Sequence, residues 1–169
     1  MLGRELPAVI DGYLRREFGQ GSTTPCEETD RPLRRDEVKM LSLDELVTIG
    51  NHTADHIPLT HLDDDGVREE LLEAQGYLRD LTGAAPFVVA YPDGAHDADV
   101  VAVAREVGFR CGFTTRRRKE RLPITADRLL RLGRFELDPG RDVDRQLLVI
   151  RSDLQLANSV RRALRRDRG

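Results

Sequence analysis

The chain is expected to be an α/β protein in which parallel strands are joined by helices. Three observations carry that expectation. Three short runs rich in β-branched or aromatic residues stand out, at Leu46–Ile49, Phe87–Tyr91 and Phe109–Thr115. The two intervals between them hold helical patterns, and glycines mark several of the ends. Strand, helix, strand, helix, strand is the order of βαβ units, because parallel strands need a crossover long enough for a helix.

Taken in order, residues 4–18 predict a helix, with Leu6, Ile10, Leu14 and Phe18 at four-residue steps. Gly19–Pro25 breaks it, and the polar stretch as far as Pro32 reads as an exposed loop. A short helix is expected around Arg34–Leu41, then a buried strand at Leu46–Ile49 that stops at Gly50. Asp63–Leu81 has the clearest helical pattern. Val67, Leu71, Ala74, Leu78 and Leu81 form one apolar stripe, Asp63-Asp64-Asp65 suits the amino-terminal end of the dipole, and Gly83 stops the helix. Phe87–Tyr91 is the second strand and Pro92-Asp93-Gly94 a tight turn. Asp97 caps a further helix that ends at Gly108, and Phe109–Thr115 is the third strand. Beyond a basic loop at Arg116–Arg121, a short strand is expected near Leu132–Leu137, and helices near Asp142–Ile150 and Asp153–Arg166.

With 169 residues, one domain and a real core are expected. The net charge of −3 argues against a general nucleic-acid binder. Arg116–Lys119 and the arginines between Arg161 and Arg168 are not interleaved with aromatics, so they read as solvated faces. Cys26 and Cys111 are too few and too far apart for a disulfide framework, and read as reduced thiols. No apolar run is long enough to span a membrane, and Met1–Pro7 holds no secretory h-region, so a cytoplasmic location is expected.

The chemistry concentrates in Gly50-Asn51-His52-Thr53-Ala54-Asp55-His56. Two of only four histidines stand four residues apart just beyond a strand end, a spacing from which both imidazoles can meet one divalent metal. Tyr91-Pro92-Asp93-Gly94 follows the next strand and should share the same rim, where backbone N–H groups can face a developing oxyanion. Alone, Pro-Asp-Gly is an ordinary turn sequence.

The stretch Ile49–Thr60, the long helix after it, Thr82–Gly94, Glu106–Thr115 and Leu130–Phe135 together resemble the polysaccharide deacetylase (NodB-homology, carbohydrate esterase 4) family. Leu130–Phe135 also resembles the bacterial members linked to exopolysaccharide. The resemblance covers most of residues 33–137. It implies a partial, distorted (β/α) barrel lacking its first strands, and metal-dependent removal of acetyl groups from a carbohydrate polymer. It also implies that His52 and His56 are ligands of zinc or another divalent metal, and that Thr53 orders their loop. Tyr91, Pro92, Asp93 and Gly94 match the motif whose backbone amide forms the oxyanion site.

The departures from the family pattern are as informative. Its Thr-Phe-Asp-Asp-Gly motif supplies the general base and an aspartate ligand, and nothing here matches it, so no catalytic residue is intact. Asp11, in Val9–Tyr13, lies within a helical pattern and reads as a solvated residue. The arginine and tyrosine of the third motif are Ala90 and Asp93 here. No histidine follows His96, which is expected to be exposed, so the closing Leu-x-His has no counterpart. Two protein ligands imply weak metal binding. Asp93 is a better outside donor than Asp55, which is too close in sequence to converge with both imidazoles.

The expected organisation is a helical insertion or linker over 1–32, the partial deacetylase domain over 33–150 and a basic helical tail over 151–169. An amino-terminally truncated domain of this kind would expose a barrel edge, through which a homodimer could form. A catalytically inactive carbohydrate-binding remnant is the alternative function.

Overall fold

The computed structural model describes residues 7–138, 140 and 142–150. The chain divides into two compact units, Met1–Gly133 and Arg134–Gly169.

In the first unit, α1 spans Pro7–Phe18, and α2 spans Arg35–Ser42. The expected stripe of α1 is only partly covered: Ile10 and Leu14 are half-buried, while Phe18 is exposed. Glu37 ties α2 to the loop before it. Hydrogen bonds from Arg31 and the Arg34 backbone hold its pKa down at about 2.

The long helix α3, Asp64–Thr82, forms as its pattern predicts. Asp63 accepts the Gly66 N–H as N-cap, and Gly83 closes the other end in the left-handed conformation. Val67, Leu71, Ala74 and Leu81 are its buried face, whereas Leu78 is only half-buried. Strand β1, Val88–Ala90, leads through a short turn of 3₁₀ helix at Pro92–Gly94 into α4, Ala98–Glu106, capped by Asp97. Strand β2, Cys111–Phe113, then pairs in parallel with β1, with Val89 opposite Gly112. Single parallel bridges extend this pair on both sides, Asn51 to Val89 and Leu132 to Phe113. The spatial order is therefore Asn51, β1, β2, Leu132. Side chains of α3, α4 and β1 meet in one core that includes Leu71, Val89, Tyr91, Val101, Ala104, Phe109 and Leu130, with Leu62 and Val107 packed against it.

Two strand expectations need correction. Leu46–Ile49 is not a strand. Leu46 is 95% exposed, and Asp44 turns the chain by accepting the Leu46 N–H on its side chain and the Val47 N–H on its carbonyl. β-Branched content favours a strand only where a pleated, half-buried surface receives it, and here only Asn51 joins the sheet. Leu132–Leu137 likewise contributes the one bridge at Leu132. Among the described residues the sheet thus has two strands, and a barrel is not closed around it.

A short helix α5, Ala126–Leu129, was not anticipated from the sequence. Cys26 and Cys111 are free thiols, as expected. In the second unit α6 spans Val143–Ile150, and Gln146 on it bonds both the N–H and the C=O of Asp138. The helix expected at Asp153–Arg166 lies outside the described residues. Among the described residues no helix is long and apolar enough to cross a membrane.

Candidate metal and oxyanion site

The carboxyl ends of the parallel segments carry the two loops singled out in the sequence, as ligand-binding loops in such sheets commonly do. Asn51 is buried and anchors the first of them. Its Nδ2 donates to the Leu71 carbonyl of α3 at 3.0 Å, and its Oδ1 accepts the Thr53 N–H at 2.8 Å. Thr53 Oγ1 in turn accepts the His56 N–H at 3.0 Å. Two of the three N–H groups between the histidines, on Ala54 and Asp55, both point to Glu70 Oε2 on α3, at 3.1 and 3.0 Å. Every turn of this loop is thereby held by a side chain.

The result is a compact histidine pair. The rings lie 4.7 Å apart between centroids and nearly perpendicular, at 86°. His52 Nδ1 sits 2.6 Å from the Ala90 carbonyl, which can only accept, so Nδ1 carries the proton and the Nε2 lone pair is left for a ligand. The same bond ties the histidine loop to the strand end from which Tyr91–Gly94 departs.

That second loop is equally constrained. Tyr91 is buried and donates its hydroxyl to the Leu130 carbonyl at 3.0 Å, and burial pushes its pKa up. Pro92 is buried and has no N–H to offer. The Tyr91 N–H pairs with the Phe113 carbonyl, while those of Gly94 and Ala95 close the turn onto Tyr91 and Pro92. Asp93 is exposed, and its backbone N–H is the one in Tyr91–Ala95 without a partner among the described residues. His96 is not the plain exposed residue expected. It is half-buried, stacks on Tyr91 at 5.5 Å and has Nδ1 2.8 Å from the Gly94 carbonyl.

Among the described residues, three besides glycine have positive φ: Thr53 at 67°, His56 at 57° and Asp93 at 54°. All three belong to these two loops. Each such conformation costs about 1–2 kcal/mol in an L-residue, so the strain of the described backbone is concentrated where the histidines and the free amide lie. Gly94, with φ 70°, is required for a different reason. A Cβ there would come within 2.5 Å of the Thr115 N, and Thr115 also hydrogen-bonds the Asp93 carbonyl. Gly94→Ala should therefore cost about 3 kcal/mol through strain and overpacking, read as a lower urea midpoint at unchanged m-value.

The pair supplies two imidazoles with ring centroids 4.7 Å apart, and a zinc ion takes four ligands. Among the described residues no third His, Cys, Asp or Glu gathers with the pair, so neither Asp55 nor Asp93 completes the shell. Asp11 lies on α1, 3.6 Å from Arg15 and half exposed, as its helical surroundings predicted.

Fold and site together define a parallel α/β protein with a histidine pair and the Tyr91–Gly94 turn on one rim. The family model for polysaccharide deacetylase matches residues 11–112, well over half of the chain, and the chain belongs to that family. The match starts inside α1. Among solved structures, the polysaccharide deacetylase BC0361 from Bacillus cereus is similar over 73% of this chain and 38% of its own, at 22% identity and a TM-score of 0.65. Streptococcus pyogenes deacetylase PplD, solved in complex with acetate, is similar over 72% of this chain and 52% of its own, at 21% identity and a TM-score of 0.61. At such identities the likeness is one of fold, and the chain spans about half or less of these proteins. No curated protein matches the chain significantly.

Asn51 and Thr53 were visible as polar neighbours of the histidines. Glu70 and Thr115 were not, because each acts from another element and neither falls in a recognisable motif.

Proposed function

We propose that this chain carries the metal-binding and oxyanion parts of a metal-dependent polysaccharide deacetylase site, acting on N-acetyl sugars of an exopolysaccharide. The observation that supports it best is the joining of the two strained loops by the His52–Ala90 hydrogen bond, which sets two imidazoles beside a turn with one free amide. In this reading Asn51, β1, β2 and Leu132 mark adjacent staves of a partial (β/α) barrel, with the site on its carboxyl rim.

His52 and His56 would hold a divalent ion, zinc by the softness and number of the donors. When bound, such an ion polarises an acetyl carbonyl and acidifies water. The Asp93 N–H is the donor available to the carbonyl oxygen as it gains charge. Tyr91, fixed by Leu130 and covered by His96, keeps that amide in place. A general base is not part of this set, and a positioned base contributes about 10²–10⁴-fold.

The chain with excess zinc should therefore release acetate from N-acetylglucosamine oligomers slowly, about 10²–10⁴-fold below a site with a positioned base. That release should vanish in His52→Ala/His56→Ala. Release unaffected by the double substitution, or none from the native sequence at any zinc concentration, overturns the enzymatic reading of this chain.

A further inference from the structure

The bonds that shape the turn after β1 do not by themselves fix it against the sheet. Ahead of it, Tyr91 is tied down by its N–H on the Phe113 carbonyl and its hydroxyl on the Leu130 carbonyl. Within it, the Gly94 and Ala95 N–H groups return to Tyr91 and Pro92, and His96 Nδ1 lies against the Gly94 carbonyl. Among the described residues, Pro92–Gly94 receives one hydrogen bond from outside residues 91–96. It comes from Thr115, whose Oγ1 donates to the Asp93 carbonyl at 3.1 Å.

Thr115 offers this bond from a firm support. It follows β2 closely, and the backbone on both sides of it is held by Thr114, which is buried. The Thr114 N–H and hydroxyl both donate to the Leu132 carbonyl, at 2.9 and 3.1 Å, and its Oγ1 accepts the Arg116 N–H at 3.2 Å. Gly94 has no Cβ, so the turn lies directly on Thr115. The Thr115 side chain is itself exposed and makes no other hydrogen bond among the described residues.

The bond falls on a residue that needs it. Asp93 has φ 54° and ψ 7°, a left-handed conformation that an L-residue keeps only where its surroundings over-determine it. One neutral hydrogen bond and the cost of that conformation are of similar size, so losing the bond shifts the balance by about tenfold. Asp93 also carries the N–H read above as the oxyanion donor, where a displacement of about 1 Å can cost 10²-fold in rate. We propose that Thr115 is a positioning residue of this site, its hydroxyl holding the Asp93 N–H in place by tying the turn to the end of β2. The effect on rate rests on the deacetylase reading, whereas the tie itself is measurable without turnover.

The test uses the full chain with Thr115→Val, which keeps the shape and loses the hydroxyl, and Thr115→Ser, which keeps the hydroxyl. Backbone ¹⁵N relaxation reads the order of the Asp93 and Gly94 amides. Order parameters of about 0.85 are expected in the native chain, below about 0.6 in Thr115→Val, and back at the native value in Thr115→Ser. The urea midpoint should move little, because the side chain is exposed. With excess zinc, acetate release from an N-acetylglucosamine hexamer should lose on the order of tenfold in kcat in Thr115→Val at unchanged KM, and regain it in Thr115→Ser. Turn amides as ordered in Thr115→Val as in the native chain, a loss of order that Thr115→Ser does not restore, or a loosened turn with undiminished kcat overturns the proposal. Absence of release from the native chain sinks the deacetylase reading alone. In that case a loss of order confined to Thr115→Val still upholds the tie, and unchanged order still overturns it.

Discussion

Asn51→Leu should destabilise the protein by about 2–4 kcal/mol and at the same time weaken zinc binding. Asn51 is almost fully buried, at 1% exposure, and its amide joins two things that must stay in register. The Nδ2 side holds the α3 backbone at Leu71, and the Oδ1 side holds the Thr53 N–H that starts the histidine loop. Leucine fills a similar volume but leaves the Thr53 N–H without its acceptor, at about 1–3 kcal/mol, and takes a second bond from the Leu71 carbonyl, which keeps its helical one, at about 1 kcal/mol. Urea unfolding should show a lower midpoint at unchanged m-value. Asn51→Asp is the informative second variant. It keeps the acceptor for Thr53 and sets a carboxylate oxygen against the Leu71 carbonyl, so the helix contact should fail while the loop contact survives. If both variants were as stable as the native chain, Asn51 would not be the link between core and site.

Glu70→Ala should weaken zinc binding by on the order of tenfold, the lower end of what supporting residues around a metal contribute. One carboxylate oxygen receives two of the three N–H groups of the segment that separates the histidines. Without it, Ala54 and Asp55 lose their anchor, and the left-handed conformations at Thr53 and His56 lose part of what holds them. Glu70→Gln retains a carbonyl oxygen that can accept both bonds and should restore most of the affinity. A structural role confined to α3 would show up instead as a change in unfolding midpoint with zinc affinity untouched. Calorimetric zinc titration of the three proteins distinguishes these outcomes.

What the sequence disclosed follows from where the information is local. The α3 stripe, the Asp63 cap and the Gly83 stop lie within one helix, and the structure has them nearly where the pattern puts them. The histidine pair and the Tyr-Pro-Asp-Gly turn were legible because each is a short contiguous motif. Leu46–Ile49 has β-branched content without a partner to pair with, because Asp44 turns the backbone locally and only Asn51 reaches Val89. The left-handed conformations of Thr53, His56 and Asp93 gave no warning, since none is a glycine. They are imposed by Asn51, Thr53 and Thr115 side chains and by the closure of the turns. Glu70 reaches its amides across 15 and 16 residues. Such couplings belong to the folded arrangement and leave no spacing rule in the chain.

The proposed function stands or falls on whether His52 and His56 act as one metal site. Zinc titration followed through the imidazole ¹⁵N resonances tests this directly. His52 and His56 should respond together, the His52 Nδ1 should keep its proton because it donates to Ala90, and the His52 Nε2 resonance should move. His61 and His96 should remain where they are. Zinc that shifts His61 or His96 instead, or that leaves His52 and His56 unmoved at saturation, would contradict it.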